Sequence, residues 1–222
     1  MTFFLQILFA LVVVVASSLC VFSKAQDNED VQSWNDIQVT IPIAKKIDLT
    51  VNGTFRIGKN VTRPSEARFG SGFVYKPIKS FAAGASYLYI EARNPAGIFQ
   101  YEHRIALRAT YKFPVKGFEL SHRSQYEYRI RKSGNSWRYR PALIFEKELP
   151  KSLIPKAKFF ITEELFYIST TNRFSRNRFS VGISKEIDKH LTVEVYYLRQ
   201  NDGQSKPGDL NVLGTTWKIH LQ

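Results

Sequence analysis

The stretch FQYEHRIALRATYKF, residues 99–113, separates into two lists when every second residue is taken. Phe99, Tyr101, His103, Ile105, Leu107, Ala109, Tyr111 and Phe113 form the first; Gln100, Glu102, Arg104, Ala106, Arg108, Thr110 and Lys112 form the second. A helix would bring residues three and four apart together and mix the lists, whereas a strand holds them on opposite faces. The next segment, FELSHRSQYEYRIR (118–131), divides the same way, with Arg123, Glu127, Arg129 and Arg131 on its polar side. Both segments are read as strands.

The period of two recurs in 47–57, 66–75, 81–89, 137–145, 179–183, 191–197 and 213–221, and more weakly in 37–41. In 158–167 the adjacent Phe159 and Phe160, and Glu163 and Glu164, interrupt it, which reads as a bulge. These are about eleven segments of around ten residues, the strand length a tilted membrane barrel needs. Their connections alternate. AKK (44–46), PIKS (77–80), PVKG (114–117), PKSLIPK (150–156) and DKH (188–190) are mostly tight. GKNVTRP (58–64), RNPAG (93–97), KSGNS (132–136), STTNR (169–173) and NDGQSKPGD (201–209) are richer in Gly, Asn, Ser and Thr. Short turns at one rim and longer loops at the other make an up-and-down antiparallel transmembrane β-barrel. Single-chain bacterial barrels have even strand numbers, so ten or twelve strands are expected. Either 37–41 lies outside the wall or residues 26–34 add a short twelfth strand.

The chain opens on MTFFLQILFALVVVVASSLCVFSKAQ, an apolar run followed by the small residues Ser23 and Ala25 around Lys24. This reads as a signal peptide, 1–25, cleaved after Ala25 and followed by one barrel domain over 26–222. Cys20, the single cysteine, leaves with the signal, so disulfides, zinc–thiolate sites and cysteine nucleophiles are all excluded. The formal charge of +13 over 222 residues raises nucleic acid as a partner. Stacking on bases needs arginines and aromatics on one accessible face, however, and here tyrosines and arginines take opposite faces. No nucleic acid is expected.

Which face looks inward is decided by where the rings fall. Tyr87, Tyr89, Tyr101, Tyr126, Tyr128, Trp137, Tyr139 and Tyr197 lie beside the longer loops. Tyr75, Tyr111, Phe113, Phe118, Phe145 and Trp217 lie toward the short turns. Two rings of aromatics around an Ile/Leu/Val/Ala band match the interfacial girdles of an outer-membrane barrel. The apolar face then meets the lipid bilayer, and the barrel-assembly machinery becomes an expected partner. The polar face lines the lumen, with Arg56, Glu66, Arg68, Glu102, Arg104, Arg108, Arg123, Glu127, Arg129, Arg131, Arg138, Arg140 and Arg178. If Phe113 faces Phe118 across PVKG, then Arg104 faces Glu127, Glu102 faces Arg129, Lys112 faces Glu119 and Arg108 faces Arg123. Opposite charges across strands are favourable.

Other chemistry is thinly represented. His103 and His122 fall on the apolar face; in the register above they face Tyr128 and Ala109, about six positions and roughly 20 Å out of step. Ser124 shares a face with His122 as its neighbour along the strand, with no orienting acid evident. His190 sits in a turn and His220 near the end, so no metal cluster and no cofactor is expected. Glu163 and Glu164 would point to opposite faces, which disfavours joint acid–base work.

Trp34, Glu66-x-Arg68, Tyr101-Glu102-His103-Arg104, Arg123-x-x-x-Glu127-x-Arg129, Arg138-x-Arg140, Asn177-Arg178 and Tyr196-Tyr197 span nearly the whole chain after the signal. In these the sequence resembles an uncharacterised family of Gram-negative outer-membrane β-barrel proteins. The resemblance implies a barrel and brings no activity or catalytic residues. The expected function is a non-enzymatic barrel with a narrow or plugged Arg/Glu-lined lumen, either a small anion-preferring channel or an envelope structural protein. The alternatives are a lipid-modifying outer-membrane enzyme and a soluble exported ligand-binding barrel. The sequence names no solute.

Overall fold

The computed structural model describes residues 29–94 and 96–221. The signal-peptide assignment, 1–25, lies outside the described residues. Eleven strands run in chain order: β1 Glu29–Ala44, β2 Ile47–Gly58, β3 Arg63–Ile78, β4 Phe81–Arg93, β5 Phe99–Phe113 and β6 Glu119–Arg131. β7 Ser136–Glu148, β8 Ala157–Ile168, β9 Arg173–Glu186, β10 Leu191–Asp202 and β11 Asp209–His220 complete the set. Each pairs with its sequence neighbours in antiparallel fashion, and β1 closes on β11 to make a barrel.

The strand number is eleven, where an even number is expected. In an up-and-down meander an odd count leaves the first and last strands running the same way, so the seam must be parallel. Glu29 to Thr40 pair in parallel with Asp209 to His220. The described part of the first candidate segment, 29–34, and the second, 37–41, belong to one strand, the 16-residue β1. Its pattern was blurred because Trp34 points inward among Asp30, Gln32 and Asp36, while Ser33 and Asn35 take the outward positions.

The β5–β6 register differs by two residues from the one the PVKG turn implied. Phe113 pairs with Leu120, and Arg104 with Arg129. The connection is longer because Val115 N–H donates back to Phe113 O at 2.9 Å and Gly117 turns through φ +84° before the strand resumes. A shift of two keeps every side chain on its face, since the side-chain period is two. Arg108 therefore faces Gln125, not Arg123, and the histidines pair as His103–Ile130 and His122–Tyr111. In β8 the alternation runs unbroken through both doublets, and the β8–β9 bulge falls at Phe166/Tyr167.

Two local devices shape the ends and the wall. After β2, Lys59, Asn60 and Val61 all take left-handed backbone conformations, with φ of 53°, 52° and 59°. The Asp30 carboxylate holds this turn by accepting the amides of Lys59 at 3.0 Å and Asn60 at 2.7 Å. At Gly214 the Tyr196 ring lies flat against the inner wall, where a β-carbon would occupy the ring's own position. Glycine is thus required there for close approach, not for an unusual φ.

Candidate functional site: a charge-packed lumen

The barrel inverts the usual distribution of polarity. Phe69 and Leu213 are 63% exposed on the outside, with Leu107, Ile105 and Val195 also open, while Glu127 is 1% exposed on the inside. Alternation along each strand produces this directly: the outward set is aromatic and aliphatic, the inward set charged.

Inside, five carboxylates hold nine arginines. Glu66 pairs with Arg56 at 2.9 Å and Arg68 at 2.5 Å. Glu102 takes Arg104 and Arg129, each at 2.6 Å, and Arg131 at 3.9 Å. Glu127 binds Arg138, Arg140 at 2.6 Å and Arg104 at 3.8 Å. Glu164 holds Arg123 at 2.5 Å and Arg140 at 2.8 Å, and Asp202 holds Arg176. The charge-assisted bonds fall into three groups, one on β2 and β3, one running from β5 to β8 and one joining β9 to β10. Three of the ion pairs expected from sequence are present as diagonals: Arg104–Glu127, Arg129–Glu102, and Lys112–Glu119 at 3.0 Å. Among the described residues two arginines hydrogen-bond amides alone: Arg108 donates to Gln125 Oε1 and Arg178 to Gln200 Oε1, both at 2.8 Å.

Two aromatic rings anchor the net. Trp34, 3% exposed, packs on Leu198, Leu210 and Val212, and its indole N–H donates to Gln32 at 2.8 Å. The Arg56 guanidinium lies 3.4 Å above the Trp34 ring and that of Arg178 lies 4.8 Å from it. Phe166, fully buried, meets Arg140 at 4.6 Å, Arg178 at 4.8 Å, Arg138 at 5.4 Å and Arg176 at 5.5 Å. Stacking on a ring face satisfies a guanidinium where no carboxylate remains to pair with it. Sequence reasoning missed Phe166, Arg176, Glu164 and Asp202 as members of this set.

The net divides the interior. On its loop side a cavity of about 420 Å³ is lined by Glu66, Arg93, Phe99, Glu102, Arg129 and Arg131. Toward the short turns lies another of about 450 Å³, lined by Asp36, Gln38, Thr50, Asn52, Thr54, Ser86, Arg108, Arg123, Thr216 and Lys218. The two share no lining residue. Trp34, Arg56, Arg138 and Phe166 line neither cavity, and the last three lie near the loop-side ends of their strands.

On the outer wall the loop-side rings make a belt. Tyr126, Trp137 and Tyr167 stack at 5.7 and 5.5 Å, and Tyr87, Tyr89 and Tyr101 surround His103 at 5.5–6.0 Å. Tyr128 and Tyr197 are also exposed, and Tyr139 is half-buried. Tyr111–Phe113 and Phe118–Phe145 pack at the short-turn end, where Trp217 is exposed as well. His122 Nε2 lies 3.0 Å from Ser124 Oγ, which is 2.9 Å from Tyr139 OH. No described residue bonds His122 Nδ1, the atom a triad would orient. The chain of three satisfies polar groups on an apolar wall.

Fold and interior together define an inside-out β-barrel with a buried arginine–carboxylate network. A family model described as a protein of unknown function (DUF2490) matches residues 31–211, and the chain belongs to that family. No curated protein matches it. Among solved structures, the anion-selective porin from Comamonas acidovorans is similar at 12% identity and a TM-score of 0.41, over 79% of this chain and 54% of that one. This chain thus spans about half the length of that porin.

Proposed function

We propose that this protein is a non-enzymatic outer-membrane barrel, shut toward its loop side by a plug of charged and aromatic side chains around Trp34, Arg56, Arg138 and Phe166, whose two chambers admit anions in preference to cations. The membrane location is supported by the exposed apolar wall and its two aromatic belts, which suit a hydrocarbon core bounded by interfacial rings. A soluble exported barrel would leave that whole wall in water. The lipid bilayer is the partner this surface fits. The observation that carries the anion preference is the local balance in the net, eleven arginines against five carboxylates, with Asp30, Asp36, Asp48 and Glu194 as further inward acids outside it. Fixed positive charge in a narrow, poorly screened lumen repels cations.

The plug predicts a low conductance. In planar bilayers under a potassium chloride gradient, the purified barrel is expected to pass a current well below that of an open porin lumen, with a reversal potential displaced toward chloride. A wide ohmic pore would contradict the plug, and a potential displaced toward potassium would contradict the charge assignment.

A further inference from the structure

The short-turn chamber holds a group that the plug does not use. Arg108 lies on the inward face of β5, in line with buried Arg104 and Ala106, yet it is itself exposed. Its exposure is to the chamber it lines. Among the described residues its one hydrogen-bond partner is the Gln125 amide oxygen, reached through Nε, which leaves both terminal amino groups facing the cavity. Neighbouring Arg123, which gives one terminal nitrogen to Glu164, has a buried Nε without a partner. The other charges lining the chamber are the Asp36 carboxylate and the Lys218 ammonium. Asp36 accepts the Thr54 hydroxyl at 2.5 Å, and Lys218 is paired with Glu194 at 2.5 Å.

The opposite wall has a different chemistry. Gln38, Thr50, Asn52 and Thr216 present short amides and hydroxyls around the Asp36 carboxylate and the Lys218 ammonium, and Ser86 adds a hydroxyl on β4 beside Arg108. A chamber with free guanidinium nitrogens on one side and mostly amides and hydroxyls on the other suits a ligand with one anionic end and several hydroxyls. Its volume of about 450 Å³ is within the range of small-ligand sites. A further cavity of about 390 Å³ lies beside it toward the short-turn rim, lined by Glu146, Lys156, Lys158, Glu186 and Glu194, with Lys218 lining both.

We infer that the short-turn chamber is a binding site for a small hydroxylated anion, of the sugar-acid or sugar-phosphate class, held at its charged end by Arg108 with Arg123 beside it and along its hydroxyls by Thr50, Asn52 and Ser86. This rests on the reading of the charged face as a lumen. The test is calorimetric titration of the full-length barrel, folded in detergent, with glucuronate, glucose 6-phosphate, glucose and inorganic phosphate. Saturable binding of glucuronate or glucose 6-phosphate is expected, with glucose silent; which of the two binds tighter distinguishes carboxylate from phosphate as the natural head. Arg108→Gln should weaken that binding roughly tenfold or more, because a charge-assisted pair is lost, while the unheated gel mobility stays that of the wild type. Overturning results are no saturable anion binding, binding unchanged in Arg108→Gln, or inorganic phosphate binding as tightly as the sugar anions. If the barrel shifts on boiling yet binds nothing, the ligand site fails alone; if it never behaves as a membrane barrel, the underlying reading fails with it.

Discussion

Glu127→Gln is expected to destabilise the folded barrel by about 3–5 kcal/mol, the cost of removing one partner from a buried ion pair. Glu127 is the most enclosed charge of the net, at 1% exposure, and it is shared by Arg138, Arg140 and Arg104. Glutamine keeps the shape and one carbonyl oxygen but removes the negative charge. Arg140 retains Glu164 and Arg104 retains Glu102. Arg138 retains only its distant contact with Phe166, 5.4 Å away, so its desolvated charge dominates the loss. Urea titration of the detergent-folded protein, read from the unheated gel band, measures the effect. The rim pair Lys112–Glu119, with both side chains about half exposed, is the contrast: Lys112→Gln is expected to cost at most about 1 kcal/mol. A Glu127→Gln, Arg138→Gln double variant should recover part of the loss, since the two residues are in contact. Equal effects at Glu127 and Lys112 would mean that the interior is wetter than the net implies.

Trp34→Ala carries the second large effect, on stability and on conductance together. The indole fills the space against Leu198, Leu210 and Val212 and supports the Arg56 and Arg178 guanidiniums. Truncating a large buried aromatic costs about 3–5 kcal/mol. It also removes the ring on which two cations rest, so the side chains that separate the chambers lose their support. Single-channel conductance is therefore expected to rise several-fold over the wild type, with anion preference kept because the arginines remain. A variant that folds but conducts no more than wild type would place the constriction elsewhere, with Phe166 the next candidate.

Strand type and the division of residues between two faces could be read from alternation in segments such as 99–113, because a period of two has no helical counterpart, while the inner face was read from where the rings fall and the rim asymmetry from the connections. The strand number could not. β1 mixes Trp34 with inward polar residues and Ser33 with outward apolar ones, so its sixteen residues read as two fragments. The exact β5–β6 partners were out of reach for a different reason. Alternation fixes which face a residue takes and leaves shifts of two undecided, and the local turn at Val115 and Gly117 chose between them. The arginines of the site were legible as a face, but its organiser was not. Both faces of β8 carry an acid and bulky apolar residues: Phe160, Glu164, Phe166 and Ile168 on one, Phe159, Glu163, Leu165 and Tyr167 on the other. Nothing in that pattern marks Phe166 as the ring around which four guanidiniums gather. Arg176 and Asp202 sit near strand ends where loop residues begin, and their pairing joins positions that only the β9–β10 ladder brings together.

The lumen assignment depends on which face of the barrel meets lipid. The most direct measurement is the gel mobility of the detergent-extracted membrane fraction, unheated against boiled. A closed barrel with its apolar wall in the bilayer is predicted to partition with that fraction, stay folded in cold detergent, and change mobility on boiling. A protein recovered without detergent, with identical mobility before and after boiling, would contradict the lumen assignment and turn the arginine net from a lining into a surface.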